Sequence, residues 1–235
     1  MKSNWPYYLG FFIVLFAGYY LFVFSQTDIN QSSLPVINNH IDTFTFTDQN
    51  GKPFTEKSVE GKIYVADFFF TTCRGICPKM NANMRRVFDA FKNEPEFRIV
   101  SHTCMPETDS VPLLKQYESR MLLGNLVKGK ANNWLVETDS SLFHTPVTNN
   151  STWYFVTGDK KHLYGMARHS YIIDNNKTDT SVKVEDQFIH TQLFALVDRK
   201  ARVRGIYDGL KEEEVQKLIK DIRGLLKEHN ANRSL

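Results

Sequence analysis

Two cysteines, Cys73 and Cys77, stand four residues apart in the stretch TTCRGICPKM. Pro78 follows at once, and proline is well placed as the first residue of a helix, where a missing N–H costs nothing. Cys77 therefore falls at or just before a first helical turn, with Cys73 on the loop that leads in. A helix N-terminus carries partial positive charge and unpaired N–H groups, which lower a thiol's pKa. The thiolate is the form that attacks disulfides and binds metal. The pair is compatible with three chemistries: a structural disulfide, a redox-active dithiol, or a soft-metal site. Copper would need a third ligand, and imidazole suits both of its oxidation states. Of seven histidines (His40, His102, His144, His162, His169, His190 and His229), six read as surface or hydrogen-bonded residues. His190 is different. It sits in EDQFIHTQLFALVD, at the entrance to an apolar strand that leads into a hairpin. In a thioredoxin-like sheet that segment packs against the dithiol loop, so His190 can approach Cys73 and Cys77. Cys104 adds a third thiol at the end of another strand. It reads first as a buried packing residue, and second as a thiol that could trap a disulfide or perturb copper. Met80 and Met84 belong to an apolar helical stripe, and Met105 is a minor ligand candidate in a loop.

The elements around these residues follow from periodicity. Ile41, Phe44 and Phe46 suggest a strand, Asp48–Gly51 a turn, and Phe54 a return. Ile63 to Phe70 is a short apolar β-rich run, as expected of a central strand covered on both faces. Met80, Met84, Val87, Phe88 and Phe91 share one helix face. Phe97 to Thr103 is a strand, Val111 to Leu123 a helix, Trp153 to Thr157 a core strand and Lys161 to Tyr171 a helix. Gly124 to Asn150 gives few periodic signals. Phe188 to Val197 and Val203 to Tyr207 form a hairpin, and Lys211 to His229 a final amphipathic helix. Strands alternating with helices, then a hairpin and a helix, make a mixed α/β sheet.

The first section of the chain reads as a membrane anchor. Trp5 to Phe24 is a run of 20 residues without a charge. At about 1.5 Å per residue it spans roughly 30 Å, the thickness of a hydrocarbon core. Lys2 precedes it, and no Lys or Arg occurs from Ser25 to Gly51, so the rest of the chain is expected outside the cytoplasm. That gives an anchor over 1–25, a tether over 26–39, one domain over 40–229 and a short tail over 230–235. The whole chain has 235 residues, 42% hydrophobic and 23% charged, with a formal net charge of +3, so disorder and fibrous classes are excluded. No dense Lys/Arg block points to nucleic acid. Three cysteines are too few for a disulfide-stapled mini-fold.

The sequence resembles the SCO/SenC family of copper-binding, thioredoxin-fold proteins. The matching pieces are FFFTTC-RGI-CP around Cys73 and Cys77, IVSHTCMPETD ending at Asp109, WYFVTGD from Trp153, and His190 ahead of LFALVDRKARVRGIYDG. The resemblance covers roughly Ile41 to Leu226. It implies a thioredoxin-like mixed sheet flanked by helices, behind an N-terminal transmembrane helix. It also implies a metallochaperone that binds copper, Cu(I) or Cu(II), through Cys73, Cys77 and His190. Such proteins serve the binuclear copper A centre of cytochrome c oxidase subunit II. They receive copper from an upstream donor, and the implied location is the inner membrane with the domain on its outer, periplasmic side. Another copper enzyme under assembly is the alternative partner. Reduction of a partner's cysteines by Cys73 and Cys77, as a thiol-disulfide oxidoreductase, is the alternative activity. Met105 stands where the family usually has Asp before Pro106, and Ile189 where it often has Asp before the histidine, with Asp186 further upstream. The stretch from about Gly124 to Asn150 looks like an insertion.

Overall fold

A computed structural model of the chain describes residues 5–26, 34–129, 133–148, 150–174 and 191–233. The core is one seven-stranded sheet. Its centre is β3 (Ile63–Phe69), in which all seven residues are buried. β3 pairs in parallel with β4 (Phe97–Thr103) over its full length and antiparallel with β8 (Leu193–Val197). β4 continues in parallel to β7 (Trp153–Thr157). The edges are the hairpin of β1 (Thr45–Asp48) and β2 (Pro53–Thr55) on one side and β9 (Val203–Asp208) on the other, in the order β2-β1-β7-β4-β3-β8-β9. Two parallel crossovers and a closing antiparallel hairpin match the mixed α/β expectation.

Alternation along β3 sorts its side chains to two faces. Ile63, Val65 and Phe69 pack with α2 (Cys77–Phe91), α3 (Val111–Leu123) and α5 (Glu212–Arg233), through Met80, Met84, Leu114, Val215 and Ile222. Tyr64, Ala66 and Phe68 pack on the other face with Phe44, Phe46 and Phe54 and with α4 (Lys160–Gly165). Met80 and Met84 are thus core residues, as their helical spacing indicates. The helix read over Lys161–Tyr171 is α4 followed by a wider turn, Met166–Ser170. Asp159 caps it, its carboxylate accepting from the His162 N–H at 2.8 Å.

The stretch after α3 holds a small hairpin of its own, β5 (Asn125–Lys128) and β6 (Trp134–Glu137), then a single helical turn, Ser140–His144. No strand alternation announces it because its side chains lie half-exposed over α2 rather than in the sheet. The Arg86 guanidinium sits 5.0 Å from the Trp134 ring centroid, and the Arg85 guanidinium donates to the Gly124 carbonyl. Part of the expected tether is docked: Asn38 bridges to Val203 on β9, and Arg204 donates to the carbonyls of Leu34 and Pro35. The N-terminal run forms helix α1 (Trp5–Gln26), with large apolar side chains such as Phe11, Ile13 and Leu15 exposed. Among the described residues no helix is long and apolar enough to cross a membrane; side chains on α1 are described only as far as Leu21.

Candidate functional site

The two cysteines leave the central strand together. After Phe69 the chain turns, and the Cys73 N–H donates to the Phe70 carbonyl at 3.2 Å. Cys77 is the first residue of α2 with Pro78 behind it, and the N–H groups of Lys79 and Met80 both bond to the Ile76 carbonyl. Cys73 is half-buried and Cys77 is 4% exposed. All three cysteines are free thiols. Phe68 to Phe70, Cys73 to Cys77, Cys104 and Thr191 line one cleft of about 270 Å³. It opens at the C-terminal ends of β3 and β4, the end of an open α/β sheet where ligands bind.

Burial governs the thiols. Desolvation pushes the Cys77 thiol well above its ordinary pKa; a hydrogen bond with the Cys73 thiol adds to this, while the Phe70 backbone acts against it. The expectation that the helix N-terminus lowers Cys77 is therefore corrected: loss of water around the sulfur outweighs the helix end. Cys104 is pushed up as well, by burial first and by the Asp109 carboxylate second. Its S–H donates to the Phe69 carbonyl at 3.1 Å.

A buried carboxylate holds the loop. Asp109 is fully buried and accepts from the Thr71 N–H at 3.2 Å, from the Thr71 hydroxyl at 2.5 Å and from the Thr103 hydroxyl at 2.5 Å. It joins the exit of β3 to the end of β4, reaching Thr71 from 38 residues further along the chain. Deeper in the sheet, Asp67 is fully buried and accepts from the Ser101 hydroxyl at 2.5 Å; that hydroxyl also takes the Trp153 indole N–H. Burial raises Asp67 from 3.8 to about 7, against the pull of Ser101. His102, beside it on β4, is stacked on Phe68 with ring centroids 4.9 Å apart, and burial lowers it from 6.5 to about 4. A charge in the apolar run IYVADFFF is the available sequence signal for Asp67; Asp109 carries none beyond its place in a matched block.

The cleft brings together Cys73 and Cys77, as their spacing indicates, and adds Cys104. No histidine with a described side chain lines it. His40 lies 3.4 Å from Asp42, and the His162 ring nitrogen meets the Thr43 carbonyl. Met105 does not reach the cleft either. His190, Ile189 and Asp186 lie outside the described residues. Thr191, next in the chain, lines the cleft and donates its hydroxyl to the Ile173 carbonyl at 2.6 Å. Among the described residues no group of three or more His, Cys, Asp or Glu could hold a metal ion.

The fold and the paired thiols define a thioredoxin-like protein with a cysteine pair at a strand-to-helix junction. Comparison with known proteins gives the family. The SCO1/SenC family model matches residues 36–123 and 139–227, skipping the whole β5–β6 hairpin, in keeping with an insertion there. A SCO1 protein homolog of Bacillus subtilis is 29% identical over 189 residues, covering 80% of this chain and 83% of that one. BsSco, a member of the Sco family of cytochrome c oxidase assembly proteins studied for its disulfide switch, matches at 27% identity and a TM-score of 0.59, covering 83% of this chain and 98% of its own. Bradyrhizobium japonicum ScoI, solved with copper bound, shares the fold at 21% identity and a TM-score of 0.52, over 79% and 98% of the two chains. The chain belongs to the SCO1/SenC family.

Asp67 and His102 set opposite pH slopes. A carboxyl raised to about 7 binds its proton more tightly in the folded chain, so its contribution to stability is full below 3.8 and is lost as pH rises toward 7. A histidine lowered to about 4 favours the folded state above 6.5, and that contribution is lost as pH falls toward 4. In the wild type the two largely offset one another across this interval. Asp67→Asn removes one slope, so denaturant unfolding of the variant should show stability rising from about pH 4 to 6.5 more steeply than in the wild type. An unchanged profile would contradict the buried, protonated state of Asp67.

Proposed function

We propose that the chain is a copper-binding metallochaperone that assists assembly of the binuclear copper A centre of a respiratory cytochrome c oxidase. Its cargo is copper, held by Cys73, Cys77 and His190. The observation that carries this reading is the shared cleft: Cys73 and Cys77 line it together with Thr191, whose preceding residue is His190. Two sulfurs and an imidazole are a soft donor set that suits copper. Because Cys77 holds its proton tightly, loading would release protons to the solvent. Membership of a family whose relative BsSco is a cytochrome c oxidase assembly protein supports the partner class, and the copper-bound ScoI supports the cargo.

Anaerobic copper titration of the reduced chain tests the site. The wild type should bind one copper, with intense thiolate charge-transfer absorption in the Cu(II) form. Cys73→Ser and Cys77→Ser should each abolish tight binding, since oxygen replaces a soft sulfur. His190→Ala should bind more weakly, with an altered spectrum. Full stoichiometry and an unchanged spectrum in either serine variant would rule out this ligand set.

The second activity, reduction of a partner's cysteines, is favoured by the same cleft, which Cys73 and Cys77 line together as free thiols at the two ends of one short loop.

The same proposal tethers the domain to a membrane through Trp5–Phe24. That run holds 20 residues without a charge, and the described side chains of helix α1 are exposed and apolar or aromatic. The soluble domain then lies on the outer, periplasmic face. Alkaline carbonate should leave the protein in the membrane pellet, and external protease should digest the domain in spheroplasts. Release by carbonate, or protection from protease, would refute the anchor or its orientation.

A further inference from the structure

Among the described residues, Cys104 is the thiol in the cleft that the proposed copper site does not use. It directly follows β4, and its N–H donates to the Phe69 carbonyl at 2.8 Å, continuing the parallel ladder in which Phe69 faces Thr103. Phe70 is therefore its neighbour across the ladder, about 4.8 Å away at strand spacing. The turn closed by the Cys73 N–H on the Phe70 carbonyl keeps the Cys73 Cα within about 7 Å of that of Phe70. Cys77 and Cys104 sit on fixed elements, the first turn of α2 and the end of β4, and both are buried. Cys73 sits on the loop, packed against the same core as Cys77, lines the cleft with both of the others and is the most exposed of the three. Cys104 packs with the core opposite to the one that Cys77 joins, so the cleft spans the end of the sheet with one buried thiol on either side.

We propose that Cys104 is a second exchange partner for Cys73, so that the cleft holds a three-thiol relay in place of a simple pair. The inference rests on the dithiol reading of the site and is independent of copper. The relay starts when the Cys73 thiolate attacks a protein or small-molecule disulfide. A mixed disulfide forms, and one sulfur of the attacked disulfide leaves as a thiolate. Cys77 or Cys104 then attacks the Cys73 sulfur, closes an internal bridge and releases the second sulfur. The two bridges interconvert by exchange. Cys104 attacks the Cys73 sulfur of the Cys73–Cys77 bridge, the new bond forms, and Cys77 leaves as a thiolate and takes up the proton that Cys104 gave up. The exchange itself neither gains nor loses electrons.

The test oxidises the reduced full chain with oxidised glutathione, without metal, quenches with acid and maps tryptic peptides under non-reducing conditions. Cleavage after Arg74 and Lys79 puts each cysteine on its own peptide. The wild type should give a Cys73–Cys104 peptide beside the Cys73–Cys77 one, and Cys104→Ser only the latter. Cys77→Ser is the sharper variant. Most of its chains should close Cys73–Cys104 and retain no glutathione. If Cys77→Ser instead keeps glutathione on Cys73, the relay is overturned. Should that variant not fold, a wild-type map lacking the Cys73–Cys104 peptide overturns it equally. Since no metal enters the experiment, failure of the relay is distinguishable from failure of the copper site, which the titration tests separately.

Discussion

The cleft depends on one buried carboxylate. Asp109 takes hydrogen bonds from Thr71 on the loop after β3 and from Thr103 at the end of β4. Hydrogen bonds to a charged acceptor are each worth about 1.5–3 kcal/mol, roughly twice a neutral one. Their effect is to fix where the CxxxC loop leaves the sheet. The parallel ladder between β3 and β4 delivers Cys104 to the same end of the sheet. Two constraints of backbone geometry thus gather three thiols that lie as much as 31 residues apart in the chain.

Electrostatics at this site runs against the simple expectation for a helix N-terminus. The macrodipole is worth about 0.3–1 kcal/mol to a nearby charge at an exposed site, whereas burial of an ionised group costs several. Cys77 is almost fully buried, so burial wins and the thiol is held protonated. A protonated Cys77 is shielded from adventitious oxidation, since the thiolate is the reactive form. Asp67 follows the same rule one layer down, as a carboxyl kept largely neutral by its apolar surroundings.

Much of this is legible in the residues. Phe97–Thr103 and Val111–Leu123 match the expected strand and helix end for end, because their apolar periodicity coincides with the faces they bury. The CxxxCP spacing places Cys77 at the start of α2 for a local reason, the tolerance of a first helical turn for proline. The β5–β6 hairpin is illegible, since it packs on α2 through Trp134 and Arg86 and so carries no strand alternation. Cys104 is buried, as its place at a strand end indicates, but only the β3–β4 register reveals that it opens onto the cysteine cleft. The widened turn after α4 and the carboxylate anchor at Asp109 arise from long-range packing, which no single window of sequence encodes.

Copper K-edge X-ray absorption of the Cu(I)-loaded, reduced chain tests the proposed ligand set. Two sulfur scatterers at thiolate distance and one nitrogen from imidazole are expected, with the sulfur count unchanged in Cys104→Ser and the imidazole signal lost in His190→Ala. A shell of oxygen and nitrogen alone, or a sulfur count that survives Cys73→Ser unaltered, would contradict it.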